Sequence, residues 1–331
     1  MINVDKERLQ PIYIAGPTAS GKSDFAYYLA DKFNSTIISA DSMQIYIGLD
    51  VGTAKDPKEK LKKYDVKMVD IVPYDYDFSV AEYADMAKGH INDAINQGKL
   101  PIIVGGTGLY FESLLYDMNF AGTSKNEEIR ASLEKELKEN GQEYLFNKLK
   151  DMDPAAAEIL HLNDTKRIIR AIEIMIETGK KWSEIKDEKP DINPIMVCFN
   201  TERAVLYERI NKRVDIMMEK GLLDEIKKVN NFTYNSMKAI GYREFIDYTG
   251  DNLEQIVDKI KQDTRNYAKR QLTWFRKYPF VHWVKIGDYE DAVMSETAFR
   301  NSIDYIVTRN TKDYSKSKVP VLQPSDLLKL L

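Results

Sequence analysis

Eight consecutive residues, Gly16, Pro17, Thr18, Ala19, Ser20, Gly21, Lys22 and Ser23, follow the pattern G-x-x-x-x-G-K-[S/T]. The glycines let the chain turn tightly enough for successive backbone N–H groups to point inward at phosphate oxygens. Lys22 adds a point charge, and Ser23 a hydroxyl suited to ligating Mg²⁺. The helix expected to start there turns its positive dipole end toward an anion. The apolar run Ile12–Ala15 just before the loop reads as a buried strand. A strand before and a helix after are the context this loop needs, and an accidental glycine-rich turn needs neither. The pattern specifies a diphosphate or triphosphate, and leaves open whether a nucleotide carries it.

Two more residues sit where chemistry is possible. Asp41 follows a second β-rich run, Thr36–Ala40, and Thr107 follows a third, Pro101–Val104. Ligands of parallel sheets bind outside the carboxyl ends of the strands, so both belong on the rim that carries the loop. A carboxylate there is a candidate general base or metal ligand. Either residue could instead cap a helix or turn, and position alone does not decide. A typical P-loop kinase or ATPase holds Mg²⁺ with an Asp at the end of a later strand. Here that strand runs into Gly105-Gly106-Thr107 with no acid, which argues against simple nucleotide hydrolysis.

The elements that must position these residues alternate. Helical spacing follows the loop over Ser23–Phe33, recurs over Val80–Gln97 and stops at Gly98. Strands alternating with helices predict an α/β P-loop fold with a parallel sheet. Near Ala121 the character changes. Asn126–Lys186 is helical, polar and rich in Lys and Glu, with Leu133, Leu137, Tyr144, Leu145, Leu149, Ala157, Leu160, Ile169, Ile172 and Met175 as its apolar faces. A strand returns at Ile195–Phe199. Helices follow over Arg203–Lys220, Leu222–Val229 and Leu253–Phe275, then a last strand over His282–Ile286 and a loose polar tail over Arg309–Lys318. The expected organisation is an α/β core from 1–120 and 194–331, with an all-helical insertion over 121–193.

Composition narrows the class. At 43% hydrophobic and 30% charged the chain is globular, and its net charge of −4 means that RNA binding must rest on local patches. One cysteine, Cys198, excludes an internal disulfide and a Cys-based zinc site, and three histidines far apart in sequence give no metal-ligand spacing. No run approaches the length of a membrane span and no signal peptide opens the chain, so a cytoplasmic protein without a membrane partner is expected. One local patch exists. Within Thr264–Tyr278 stand Arg265, Lys269, Arg270, Arg276 and Lys277 with no acid, interleaved with Tyr267, Trp274, Phe275 and Tyr278. Cations can meet phosphates and aromatics can stack on bases, although Trp274 and Phe275 suit a core better. Lys166 and Arg170 share a helix face four residues apart, and a solvated surface accounts for them almost equally well.

Taken together and in order, GPTASGKS, ISADSMQIY (38–46), GLDVGTAK (48–55), VGGTGLY (104–110), DTKRIIRAIE (164–173), RVDIMMEKGLLDE (213–225), AIGYRE (239–244) and TRNYAKRQLTWFRK (264–277) resemble the bacterial tRNA dimethylallyltransferases, or tRNA isopentenyltransferases. The resemblance covers about Pro11 to Trp283. It implies transfer of a dimethylallyl group from dimethylallyl diphosphate to the exocyclic N6 amine of the adenosine just 3′ of the tRNA anticodon, position 37, with release of diphosphate. By the same resemblance Asp41 is the general base, Gly16–Ser23 bind the diphosphate with Mg²⁺ at Ser23, Thr107 lies near diphosphate and adenine, and Arg213 contacts the diphosphate. It also implies that Asp41, Ser42, Met43 and Gln44, then Lys166, Arg167, Ile168, Ile169 and Arg170, and Gly241, Tyr242 and Arg243 contact tRNA, joined by Arg265, Lys269 and Arg276. The helical insertion would grip the anticodon stem-loop, and a monomer is expected. Competing readings are an adenylate isopentenyltransferase acting on free AMP, ADP or ATP, a small-molecule P-loop kinase, and a non-catalytic RNA-binding module.

Overall fold

The structure, a computed structural model, describes residues 9–116, 126–184, 194–284, 306–307 and 320–322. It divides into two compact units, Met1–Phe111 with Ile192–Leu331, and Glu112–Asp191. In chain order the elements are β1 (Ile12–Ala15), α1 (Lys22–Lys32), β2 (Ser35–Ala40), β3 (Tyr46–Ile47), α2 (Lys58–Lys63), β4 (Val66–Lys67), β5 (Val72–Pro73), α3 (Val80–Asn96), β6 (Leu100–Gly105) and α4 (Gly108–Leu115). Then come α5 (Glu127–Met152), α6 (Pro154–Ile159), α7 (Thr165–Thr178), β7 (Ile195–Phe199), α8 (Arg203–Glu219), α9 (Leu222–Val229), α10 (Leu253–Phe275), β8 (Val281–Val284), β9 (Ile306–Val307) and β10 (Val321–Leu322).

In the larger unit six strands form one sheet in the order β4-β2-β6-β1-β7-β8, and every pairing is parallel. A parallel sheet is covered on both faces, so its strands read as unbroken apolar runs rather than alternations. β1 and β7 are buried at every position. Ile14, Ile37, Ile102, Val197 and Phe199 pack with Phe25 and Leu29 of α1 in one cluster. Each such burial contributes about 1.5–3 kcal/mol. α3 is fixed at its start by a capping box, in which Ser79 accepts from the Glu82 N–H while the Glu82 side chain accepts from the Ser79 N–H. Because β2, β6 and β1 run parallel and adjacent, their carboxyl ends, Ala40, Gly105 and Ala15, lie in register. The Thr107 N–H donates to the Ala40 carbonyl at 3.1 Å and ties two of those ends together. A second cluster, with Leu49, Val214, Leu222, Met237, Tyr242 and Ile260, joins α8, α9, α10 and the loop after β3.

The smaller unit is helical among its described residues, and no strand is described within it. α5 is two helices run together. Gly141, at φ 82° and ψ 177°, breaks the helical path between them. Leu133, Leu145, Leu149, Ala156, Leu160, Ile168, Ile169 and Ile172 make its core. Two sequence expectations shift by a residue or a face: Tyr144 is exposed, and Ala156 is buried where Ala157 was expected. The two-residue strands β3, β4 and β5 were not anticipated, because two residues carry no periodicity to read. The ends expected for the insertion, at 121 and 193, fall outside the described residues, as do Lys285, Ile286 and the 309–318 tail. Among the described residues no helix is long and apolar enough to cross a membrane.

Candidate active site at the carboxyl edge of the sheet

The G-x-x-x-x-G-K-S segment forms the turn from β1 into α1. Gly21 occupies the N-cap position at φ 87°, a left-handed conformation that costs a residue with a side chain about 1–2 kcal/mol. The loop is clamped from outside. Gln271 of α10, buried, accepts from the Thr18 N–H at 2.9 Å and donates its amide to the Gly106 carbonyl at 2.9 Å. A Cβ at Gly106 would lie 2.1 Å from the Gln271 amide nitrogen and push that side chain out of the clamp.

Beside the loop a cavity of about 360 Å³ opens, lined by Thr18, Lys22 and Ser23, by Asp41, Ser42, Met43 and Gln44 from the end of β2, and by Arg213 of α8. Arg243, Tyr267 and Gln271 complete that polar wall. Ile37, Leu61, Val66, Val214, Met217 and Ile240 give the cavity an apolar share. Lys22 rests its ammonium on the carbonyl of Pro17, 3.2 Å away, and Arg213 donates to the Thr53 carbonyl at 3.3 Å. Among the described residues neither cation has a carboxylate within ion-pair distance. Burial pushes the Lys22 ammonium down to about 8, with Asp41 opposing and Arg213 adding to the shift. Burial also lowers Arg213, against the pull of Asp41 and Asp56. Two withdrawn cations without ion-pair partners among the described residues suit an anion. Asp41 uses Oδ1 to accept from the Met43 N–H at 2.9 Å, which fixes the carboxylate as an Asx turn. Among the described residues nothing hydrogen-bonds its Oδ2.

Thr107 stands one layer back. Its hydroxyl accepts from the Ser42 N–H at 3.0 Å and reaches the Ser42 hydroxyl at 3.3 Å, so it touches the cavity wall rather than lining it. Of the remaining loop residues, Gly16, Pro17 and Ser20 are buried, and Ala19 packs against the cluster of Leu206, Ile210 and Ala268. The Ser20 hydroxyl is buried without a partner. Oxygen donors on the cavity for a hard cation are the Ser23 hydroxyl and the Asp41 carboxylate, while the Asp56 carboxylate is already engaged by Tyr27 and Lys60. No cluster of three or more acidic, His or Cys ligands exists among the described residues. That donor set fits Mg²⁺, which takes few protein ligands and completes its shell with phosphate oxygens and water.

The residues expected at RNA divide. Asp41–Gln44 and Arg243 line the cavity. Gly241 and Tyr242 are buried beneath it, and Tyr242 donates to Glu225 at 2.8 Å. Arg265 braces α10 on α8 through the Asn211 side chain at 2.6 Å. Lys269 and Arg276 are exposed. In the smaller unit Lys166 and Arg167 are exposed. Ile168 and Ile169 are core, so their side chains are withdrawn from any ligand. Arg170 pairs at 3.1 Å with Glu173, a fully buried carboxylate that also holds Arg130. Phe275 and Tyr278 are core, as expected of large aromatics, while Trp274 is half-buried with the Lys277 ammonium over its ring at 3.8 Å.

Sequence reading missed Glu225 and Gln271. Glu225 is buried and accepts from three consecutive N–H groups, those of Asp50, Val51 and Gly52, at 2.7–2.9 Å. It thereby holds the turn whose Thr53 carbonyl receives both Arg213 and the Gln44 amide. Both fall within stretches quoted above, 213–225 and 264–277, but an acid or amide on a helix gives no hint of partners more than 160 residues away.

The IPP transferase family model matches residues 44–278. A tRNA dimethylallyltransferase of Alkaliphilus oremlandii is 47% identical over 294 residues, 86% of this chain and 93% of that protein. One of Acetivibrio thermocellus is 44% identical over 310 residues, 90% and 97% of the two chains. The crystal structure of the tRNA isopentenylpyrophosphate transferase from Bacillus halodurans aligns with a TM-score of 0.65 at 38% identity, covering 89% of this chain and 97% of that one. A eukaryotic dimethylallyltransferase, described as acting on tRNA, aligns with a TM-score of 0.73 at 26% identity over 97% and 84%.

Proposed function

Since the chain belongs to the IPP transferase family, we propose that it moves the dimethylallyl group of dimethylallyl diphosphate to tRNA, onto the N6 amine of adenosine 37, and releases diphosphate. The observation that carries this is one cavity that brings together Lys22 and Arg213, which have no ion-pair partner among the described residues, Asp41 and an apolar share of lining. An allylic diphosphate ionises readily, because its carbocation is delocalised. Charge then grows on the departing diphosphate, where Lys22, Arg213 and the amides of the 16–23 loop stabilise it. Mg²⁺, held by the Ser23 hydroxyl together with diphosphate oxygens and water, would neutralise further charge there. The apolar residues keep water from the carbon that reacts.

The adenine amine is a poor nucleophile, and Asp41 both orients it and takes its proton. Thr107 acts through Ser42, fixing the turn that aims Asp41. The base has to leave its stack to reach this depth, at a cost of a few kcal/mol. For binding tRNA we assign Ser42, Met43, Gln44 and Arg243 at the cavity, Lys269 and Arg276 on α10, and Lys166 and Arg167 on the helical unit. Incubation with labelled dimethylallyl diphosphate and either tRNA or AMP tests the reading: label is expected on tRNA alone. Label on AMP would favour an adenylate isopentenyltransferase, and label on neither would remove the assignment.

A further inference from the structure

Beside the loop and separate from the cavity above lies a second, larger hollow of about 930 Å³ between α8 and α10. Its floor is apolar, with Leu206, Ala268 and Leu272, and its walls are cationic. Arg203 and Arg209 stand on α8, and Lys269 and Arg276 on α10; Glu202 is the one acid among its lining residues. Among the described residues none of the four cations forms an ion pair. Arg203 donates to the Tyr207 hydroxyl at 3.0 Å, and Tyr207 itself lines the hollow between the two walls.

At the end of the hollow nearest the sheet, the start of the 17-residue helix α8 has no side-chain cap. Next to it Thr201 lines the hollow, only 7% exposed, with its hydroxyl buried and unpartnered. Uncapped helix N–H groups, a donor hydroxyl without a partner and four unneutralised cations all ask for the same thing, a phosphate ester.

We propose that this hollow binds the sugar–phosphate backbone of the RNA substrate, with Thr201, Arg203 and Arg209 as a wall opposite Lys269 and Arg276. Its length argues for a chain of phosphates over a single one. Six residues of helix separate Arg203 from Arg209 and seven separate Lys269 from Arg276, each about 10 Å along the axis at about 1.5 Å per residue. That spacing covers several backbone charges of a nucleic-acid strand. The inference rests on tRNA being the substrate, and it adds Arg203 and Arg209 of α8, which lie outside every quoted motif, to the RNA-binding surface.

The test uses the full chain, with tRNA affinity measured against salt and diphosphate affinity measured separately. Arg203→Ala/Arg209→Ala changes exposed side chains only. It is expected to weaken tRNA binding and lower the salt slope by about one unit per lost phosphate contact. Thr201→Val keeps the shape and removes the hydroxyl; tRNA affinity is expected to fall about tenfold with the slope unchanged. Diphosphate affinity is expected to stay at the wild-type value in both. Wild-type slope and affinity in the double variant would overturn the proposal. So would variants that lose a second bound inorganic phosphate yet keep tRNA affinity, since the hollow would then serve a free anion. A wild-type chain that binds no tRNA would overturn the underlying reading as well, a result distinct from tRNA binding shared equally by wild type and variants.

Discussion

At the scale of single residues, Asp41 and the two cations separate by what each can lose. Asp41→Asn keeps an oxygen to accept from the Met43 N–H, so the turn survives. It removes the basic oxygen. Single-turnover transfer is expected to slow by about 10²–10⁴ with tRNA and diphosphate affinities within a few-fold of wild type. A near-normal rate would take the general-base role away from Asp41. Lys22→Ala and Arg213→Ala act on the other end of the breaking bond. Each is expected to cost about 3–4 kcal/mol in the transition state, about 10²–10³ in rate, while tRNA affinity holds. Collapse of tRNA affinity at an unchanged rate would mean that these charges serve RNA instead.

At the scale of elements, two buried carboxylates act through what they hold. Glu225 of α9 accepts three successive N–H groups of the 50–52 turn, and that turn presents the Thr53 carbonyl to Arg213 and Gln44. Glu225→Gln turns an amide donor toward N–H donors, at about 1–3 kcal/mol for each group left unsatisfied. A lower melting temperature is expected, and saturated transfer slowed by about tenfold or more even at temperatures where the variant is fully folded. Full activity in the folded variant would show that the turn is held by other means.

Glu173 of α7 plays the same part in the helical unit, joining Arg130, Arg170 and the Asn126 N–H. Arg170→Ala is therefore expected to lower the stability of that unit, whereas Lys166→Ala/Arg167→Ala leaves stability alone and weakens tRNA binding. Melting curves paired with tRNA titrations check both halves. Equal stability of Arg170→Ala and wild type would make Arg170 an RNA ligand rather than a strut.

At the scale of the whole molecule, the acid limit of stability traces in part to one carboxylate that fastens the edge of the sheet. Asp65, just before β4, accepts from Thr36 of β2 at 3.0 Å and pairs with Lys67 at 2.6 Å and Lys99 at 3.0 Å. Burial pushes its carboxyl up, but the hydrogen bonds from Lys67, Lys99 and Thr36 outweigh that and hold it down at about 2, from an ordinary 3.8. A carboxylate with a lowered folded value contributes stability above about 3.8 and loses it as pH falls through about 2. Asp65→Asn is expected to lower stability at neutral pH and to flatten the pH dependence between about 4 and 2. An unchanged acid limb in equilibrium unfolding would assign that limb to other groups.

What the sequence determined by itself is the part carried by neighbours along the chain. The 16–23 loop between a strand and a helix, the alternation that makes the sheet parallel, and the helical character read over Asn126–Lys186, of which residues up to Glu184 are described, are all local. Periodicity and steric permission act within a few residues, so these features could be read. Four of the helix and strand spans, Ile12–Ala15, Ile195–Phe199, Leu222–Val229 and Leu253–Phe275, coincide with the structure to the residue. Asp41 and Thr107 could be placed on one rim because strand ends of a parallel sheet share a direction.

The tertiary structure alone decided which of two identical-looking residues does what. Arg170 pairs inward and Arg167 faces out, although both lie in one basic stretch. Tyr242 is a buried donor to Glu225, while Arg243 beside it lines the cavity. Gln271 reaches the 16–23 loop across 253 residues, and Glu225 reaches the 50–52 turn across more than 170. Such partners are chosen by how α8, α9 and α10 pack on the sheet. Packing depends on the shape of the whole apolar core and not on any pattern within one segment, which is why the clamp on the loop and the α8 wall of the cationic hollow appear only once the chain is folded.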